Sequence, residues 1–174
     1  MKKSRELIII SITIVLGILL PFAFHFIKAG GIIFLPMYYP IIISGFLISP
    51  GSALIAGFLT PLISAVLTGM PPLNPPIALQ MSIELLILGF TTSFLFNKFK
   101  FNYYIVSIFS ILLNRVVFIL MGFIMSEIYD LPFKSKIISE LTVSLPGIFI
   151  MIFILPVLVK IIKTKLIRIE SIYE

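Results

Sequence analysis

Glu84 and Arg115 are the two ionisable side chains set deepest in apolar sequence, the first within residues 77–96 and the second within residues 103–126. A charge in such surroundings is costly unless it is paired or meets water. The two residues therefore form a structural ion pair, contact a polar solute, or do both in turn, with the solute displacing one partner. Arg115 offers a planar fork that binds a carboxylate or phosphate through two parallel hydrogen bonds. Asn114 adds an amide with donors and an acceptor, although a buried Asn commonly bonds a neighbouring helix. Gln80, one turn before Glu84, and Asn74, in a proline-rich stretch, are further polar groups that a solute could meet, though Asn74 could equally serve its own turn. Tyr38 and Tyr39, with Phe34, suit either an interfacial aromatic belt or a stacking wall over an organic molecule. Met37 and Met70, each beside a proline, supply adaptable apolar contacts.

Several chemistries have no residues to carry them. There is no glycine-lysine phosphate loop, no array of Asp, Glu and His at metal spacing, and no Ser-His-Asp set. Cysteine is absent and His25 is the single histidine, which excludes thiolate and multi-histidine metal sites. Catalysis is not expected, and no cofactor is implied. Any pumping must draw its energy from another subunit.

These side chains have to be positioned by elements that live in lipid. The 174 residues are 60% hydrophobic and 11% charged, with mean hydropathy +1.22, and the apolar residues fall in long runs that mark a membrane protein. The reading is an all-α integral membrane bundle of six transmembrane helices, at about 7–27, 32–48, 51–69, 77–96, 103–126 and 137–162, forming one domain over residues 1–174. The basic start and first apolar run resemble a secretory signal, but the run is long and lacks a small-residue cleavage pattern, so it is expected to be retained.

The second segment carries Pro36 and Pro40 and is short enough to be re-entrant. Charge decides for a crossing. With six crossings, Lys2, Lys3, Arg5, Lys98, Lys100, Lys160, Lys163, Lys165 and Arg168 lie on the inner side, and Lys28, Lys134 and Lys136 on the outer, nine against three. A re-entrant second segment would invert everything after it, against the positive-inside tendency. The net charge of +6 thus describes membrane orientation and anionic lipid contact rather than nucleic acid. Both termini are expected in the cytoplasm, with proline-rich loops outside.

In this frame Glu84 lies roughly 10 Å in from the outer end of its helix and Arg115 roughly 18 Å up from the inner end of the next. In a core of about 30 Å these depths are close. Ala53, Gly57, Thr60, Ser64 and Thr68 put small groups on one helical face, which favours close packing. Gln80, Glu84 and Thr91 share a stripe, as do Glu140, Ser144 and Gly147. Glu140 is expected to be solvated near the outer boundary, and His25 to be interfacial. The punctuated stretch 36–76 reads as one wall and part of the lid of a pocket, since proline-broken backbone is tolerated in a membrane where it is buried or lines a cavity.

The run Leu35-Pro36-Met37-Tyr38-Tyr39-Pro40 leads through Ser44-Gly45-Phe46 and Ser49-Pro50-Gly51 to Pro61-Leu62-Ile63-Ser64, then to Leu67-Thr68-Gly69-Met70-Pro71-Pro72-Leu73, with Glu84-Leu85 following. In these motifs and over most of its length the chain resembles the substrate-binding S components of energy-coupling factor vitamin transporters. The resemblance implies a small membrane subunit of a prokaryotic plasma membrane that binds a vitamin or related micronutrient near the outer face. It further implies association with a transmembrane coupling protein and two cytoplasmic ATP-binding subunits, with toppling to release the cargo inside. Similar members often carry His where Tyr38 stands and a small residue where Asn114 stands. They use an Ala-x-x-x-Ala pattern on the first helix to dock the coupling protein, and Thr13 and Gly17 are its nearest equivalent here.

The expected function is high-affinity binding of a small vitamin, with Arg115 favouring an acid such as pantothenate. The expected site comprises Arg115, Asn114, Glu84, Gln80, Asn74, Tyr38, Tyr39, Met37 and Met70. A stand-alone transporter or channel coupled to ions through Glu84 is the alternative, though no internal repeat of the kind such folds use is evident. A membrane scaffold without a ligand is a third class.

Overall fold

The computed structural model describes residues 2–24, 30–129 and 133–173, and their side chains except at 2, 133–136 and 166–173. His25 and Lys28 lie outside the described residues, as do the side chains of Lys134, Lys136 and Arg168. The described chain is α-helical: α1 (Lys2–Phe24), α2 (Gly30–Phe34), α3 (Tyr38–Gly45), α4 (Pro50–Thr68), α5 (Ile77–Phe99), α6 (Tyr103–Tyr129), α7 (Phe133–Val143) and α8 (Leu145–Tyr173). Five of these contain stretches long and apolar enough to cross a membrane, and Gly30–Gly45 forms a shorter apolar unit.

Two of the six expected rods differ from the sequence reading. The second is broken between α2 and α3, where Pro36 removes a backbone donor and Leu35 adopts φ 51°, a left-handed conformation that costs a non-glycine residue about 1–2 kcal/mol. The amide of Tyr38 donates to the Leu35 carbonyl at 3.0 Å and closes the turn. The sixth is two helices, because Leu145-Pro146 begins α8 rather than continuing α7. A proline in the first turn forfeits only an N–H that had no intrahelical partner. The other boundaries fall within a few residues of those expected, and Gly69, at φ 74°, ends α4 with its amide donating to the Ala65 carbonyl.

The helices alternate in direction. Glu6 on α1 accepts hydrogen bonds from the Ser49 amide (3.2 Å), the Ser49 hydroxyl (2.8 Å) and the Ser52 hydroxyl, so α1 and α4 start at the same end. Phe24 meets Phe34 at 5.3 Å between ring centroids. The chain from Phe34 to Ser49 therefore returns alongside α1 from the level of Phe24 to that of Glu6, roughly 27 Å at 1.5 Å per residue. Helix α5 runs antiparallel to α4, with Gly57 against Leu85 and Gly89 against Ala53. It runs parallel to α3, whose C-terminal turn it holds: the Ile48 carbonyl accepts from the Ser93 hydroxyl (2.6 Å) and the Asn97 amide (3.1 Å).

Helix α3 occupies the centre. Its Ile41 and Ile42, and Phe46 just after it, are fully buried together with Leu85, Leu88, Val106, Met151, Leu155 and Val159. The small face of α4 is buried at Ala53, Gly57, Thr60 and Ser64, whereas Thr68, expected on that face, is exposed. Outward positions such as Leu7, Leu19, Leu112 and Phe153 are large and exposed, as lipid-facing side chains should be.

Ser93→Ala is expected to lower stability by about 1 kcal/mol, the usual worth of one buried hydrogen bond. Asn97 keeps its bond to the same carbonyl, which limits the loss. Thermal unfolding in detergent measures it.

Candidate functional site

A cavity of about 870 Å³ opens at the end of the bundle where Phe24 and Phe34 meet. Its walls come from Ile18, Pro21 and Phe22 of α1, from the break Leu35-Pro36-Met37, and from Met70, Pro71 and Pro72 after α4. Helix α5 contributes Ile77, Gln80, Met81 and Glu84, α6 contributes Arg115 and Phe118, and Glu140 and Ser144 close the side near the start of α8. The proline loop is held at the rim by the Ser64 hydroxyl, which donates to the Met70 carbonyl at 2.7 Å, and by the Ala78 amide, which donates to the Pro72 carbonyl.

The floor is polar and ordered. Glu84 is buried, yet both carboxylate oxygens are occupied: the Tyr38 hydroxyl donates to Oε2 at 2.7 Å and the Gln80 amide to Oε1 at 2.9 Å. Helical spacing explains the second bond, since Gln80 lies four residues before Glu84. Tyr38 arrives because the chain break at Leu35–Met37 makes it the first residue of α3. Asn114, fully buried, donates to the Glu84 backbone carbonyl at 2.8 Å and accepts from Arg115 Nη2 at 2.8 Å. The Arg115 guanidinium carbon lies 5.2 Å from the centre of the Tyr38 ring and 5.5 Å from that of Phe118. Arg115 Nε is buried and has no hydrogen-bond partner among the described residues, a kind of exception that calls for an explanation in a folded protein.

Of the residues expected at the site, Arg115, Glu84, Gln80, Tyr38, Met37 and Met70 line this cavity, and Asn114 stands behind it as the support of Arg115. Asn74 is exposed in the loop and Tyr39 packs against the core, so neither lines it. Thr13 and Gly17, expected as a docking surface, lie where α1 packs within the chain. Thr13 is buried, and a methyl group at Gly17 would stand 2.3 Å from Thr60 Cγ2, because α4 packs on that face of α1. Glu140, expected to be solvated, is partly exposed and lines the open cavity. The contributions of α1 and of Phe118 were not foreseen. Phe118 had a signal, lying three residues after Arg115 on the same helical face.

Apolar walls around a few convergent polar groups, at a volume within the ~300–1,000 Å³ of small-molecule sites, suit the capture of an organic solute with a polar head. Asn114 holds the Arg115 guanidinium at this cavity, where Glu84 accepts hydrogen bonds from Tyr38 and Gln80. Tyr38→Phe keeps the ring under Arg115 but leaves a buried carboxylate one donor short. It is expected to cost about 1.5–3 kcal/mol, the range for hydrogen bonds to charged groups, read as a lower melting temperature in detergent.

No curated protein and no solved structure matches the chain. Residues 5–164 match a family model described as ECF transporter, substrate-specific component. With the apolar helices and the cavity in place, a match over that much of the sequence shows that this multi-pass membrane protein belongs to the family of substrate-specific components of ECF transporters.

Proposed function

We propose that this chain crosses the plasma membrane of a prokaryote six times, with both termini in the cytoplasm, and captures a small acidic vitamin or related micronutrient, pantothenate-like in chemistry, at the outer face. A transmembrane coupling protein and two cytoplasmic ATP-binding subunits energise import. The observation that carries the reading is Arg115 lining, with Glu84, an apolar-walled cavity, since a planar guanidinium pairs with a carboxylate through two bonds. The site residues are Arg115, Glu84, Gln80, Tyr38, Met37 and Met70, with Asn114 positioning Arg115.

Six crossings are supported by the path of Gly30–Gly45, which returns alongside α1 over most of its length. Orientation is supported by Lys3, Arg5, Lys98, Lys100, Lys160, Lys163 and Lys165, which belong to the end opposite the cavity mouth. Ion coupling through Glu84 is less favoured, because both of its oxygens are already occupied.

Vesicles containing this protein alone should bind radiolabelled acidic vitamin without accumulating it, and accumulation should require the coupling protein, the ATPases and ATP. Concentrative uptake by this chain alone would overturn the reading. Mass spectrometry of small molecules carried through purification identifies the cargo.

A further inference from the structure

At the end opposite the cavity, the reversal between α5 and α6 meets α8 and encloses a second cleft of about 820 Å³. Lys100 comes from the reversal, where φ of 53° turns the chain, and Lys160 and Lys163 come from successive turns of α8. Among the described residues that line it there are these three lysines, two asparagines and no carboxylate. Lys163 is half-buried and its ammonium sits 4.1 Å from the centre of the Phe96 ring. That contact fixes the position of the charge without neutralising it. The three lysines thus concentrate positive charge in a concave site.

Depth and lining narrow what such a site would hold. From Leu145 to Lys163, α8 rises roughly 27 Å, close to the thickness of a hydrocarbon core of about 30 Å, so Lys160 and Lys163 come to the boundary where headgroups begin. Phe101, Pro156 and Val157 line the same cleft. Phe101 and Val157 are exposed, and Ile105, Leu158 and Ile161 extend an exposed apolar border beside them. A soluble anion would use the lysines and leave that border unused. A molecule with a phosphate at one end and hydrocarbon at the other uses both.

We propose that this cleft binds the phosphodiester headgroup of an anionic phospholipid from the leaflet that meets the basic end, with Lys100, Lys160 and Lys163 around the phosphate and an acyl chain along Phe101 and Val157. Lysine suits this role as a strongly hydrated point charge that does not demand bidentate geometry, and basic pockets between membrane helices are a recurrent form of headgroup site. The site is separate from the cargo cavity and does not depend on the identity of the cargo.

The test uses the full chain, purified in mild detergent, washed free of lipid and titrated with phosphatidylglycerol or phosphatidylcholine while bound lipid is counted by native mass spectrometry. One phosphatidylglycerol should be retained per protein, at least fivefold better than phosphatidylcholine. The double variant K160Q/K163Q should reduce that preference to less than twofold, with helical content and melting temperature held. Lys98, whose ammonium lies over Phe94 and which does not line the cleft, is the control, and K98Q should leave retention unchanged. Equal retention of the two lipids, or an equal loss in K98Q, would reduce the effect to diffuse surface charge and overturn the proposal. Displacement of phosphatidylglycerol by millimolar inorganic phosphate would overturn it in favour of a soluble-phosphate site. No lipid retained, together with loss of coupling-protein binding in K160Q/K163Q, would assign the lysines to a protein contact instead.

Discussion

Arg115→Ala is expected to weaken binding of the proposed acidic cargo by at least ~100-fold while the helices remain folded. A factor of 100 corresponds to about 2.8 kcal/mol. Two charge-assisted bonds from the guanidinium, at about 1.5–3 kcal/mol each, reach that figure even at their weaker end. The fold should tolerate the change because Arg115 is only partly buried and its hydrogen bond to Asn114 links neighbours on one helix. Arg115→Lys should recover little, since a point charge cannot reproduce two parallel donors. Equilibrium binding of labelled vitamin to purified protein measures the effect, with Tyr39→Phe as a variant outside the cavity. Unchanged affinity in Arg115→Ala would remove the guanidinium from the recognition of the cargo.

Gly57→Val should have the largest effect on the fold itself. A Cβ at Gly57 would stand 2.2 Å from the Leu85 carbonyl oxygen and 2.5 Å from its carbon. Those are backbone atoms in the middle of α5, so no side chain can swing aside. The two helices would have to separate along an interface that also seats Gly89 against the Ala53 carbonyl. The cost is expected at or above ~3 kcal/mol, the upper end for overpacked sites. Gly51→Ala is the matched control, because nothing lies within 4 Å of its added methyl group and its expected change is within about 0.5 kcal/mol. Yield of monodisperse protein and melting temperature in detergent compare the two. A normally folded Gly57→Val would show that α4 and α5 are not held at this distance.

What the sequence discloses about a helix is chiefly how far along its axis each residue lies. That quantity put Glu84 and Arg115 at similar depths, and both line the same cavity. Rotation about the axis is harder to read for a short segment that is apolar on every side. Tyr38 and Tyr39 are about 100° apart on a helix, so Tyr38 is buried at the cavity while Tyr39 is half-buried against the outside of the core, and nothing in residues 38–45 says which. Thr13 and Gly17 announce a close approach on α1 without saying to what, and Thr60 of the same chain fills the space. Hydropathy likewise carries the apolar run 137–162 as a length, whereas the interruption between α7 and α8 is a local backbone event that leaves the run of apolar residues intact. Asn74 has prolines around it that constrain its backbone but do not direct its side chain.

Helix α3 is only eight residues long, yet it touches both ends of the molecule's chemistry. At its head Tyr38 forms part of the cavity floor, and a few residues past its tail Ser49 is fastened to Glu6 beside the first residues of the chain. Between them the side chains are close-packed, and a packed interior transmits displacement rather than absorbing it. These eight residues and the turn after them thus form a short rigid link between the cavity floor and the end of the bundle that carries Glu6.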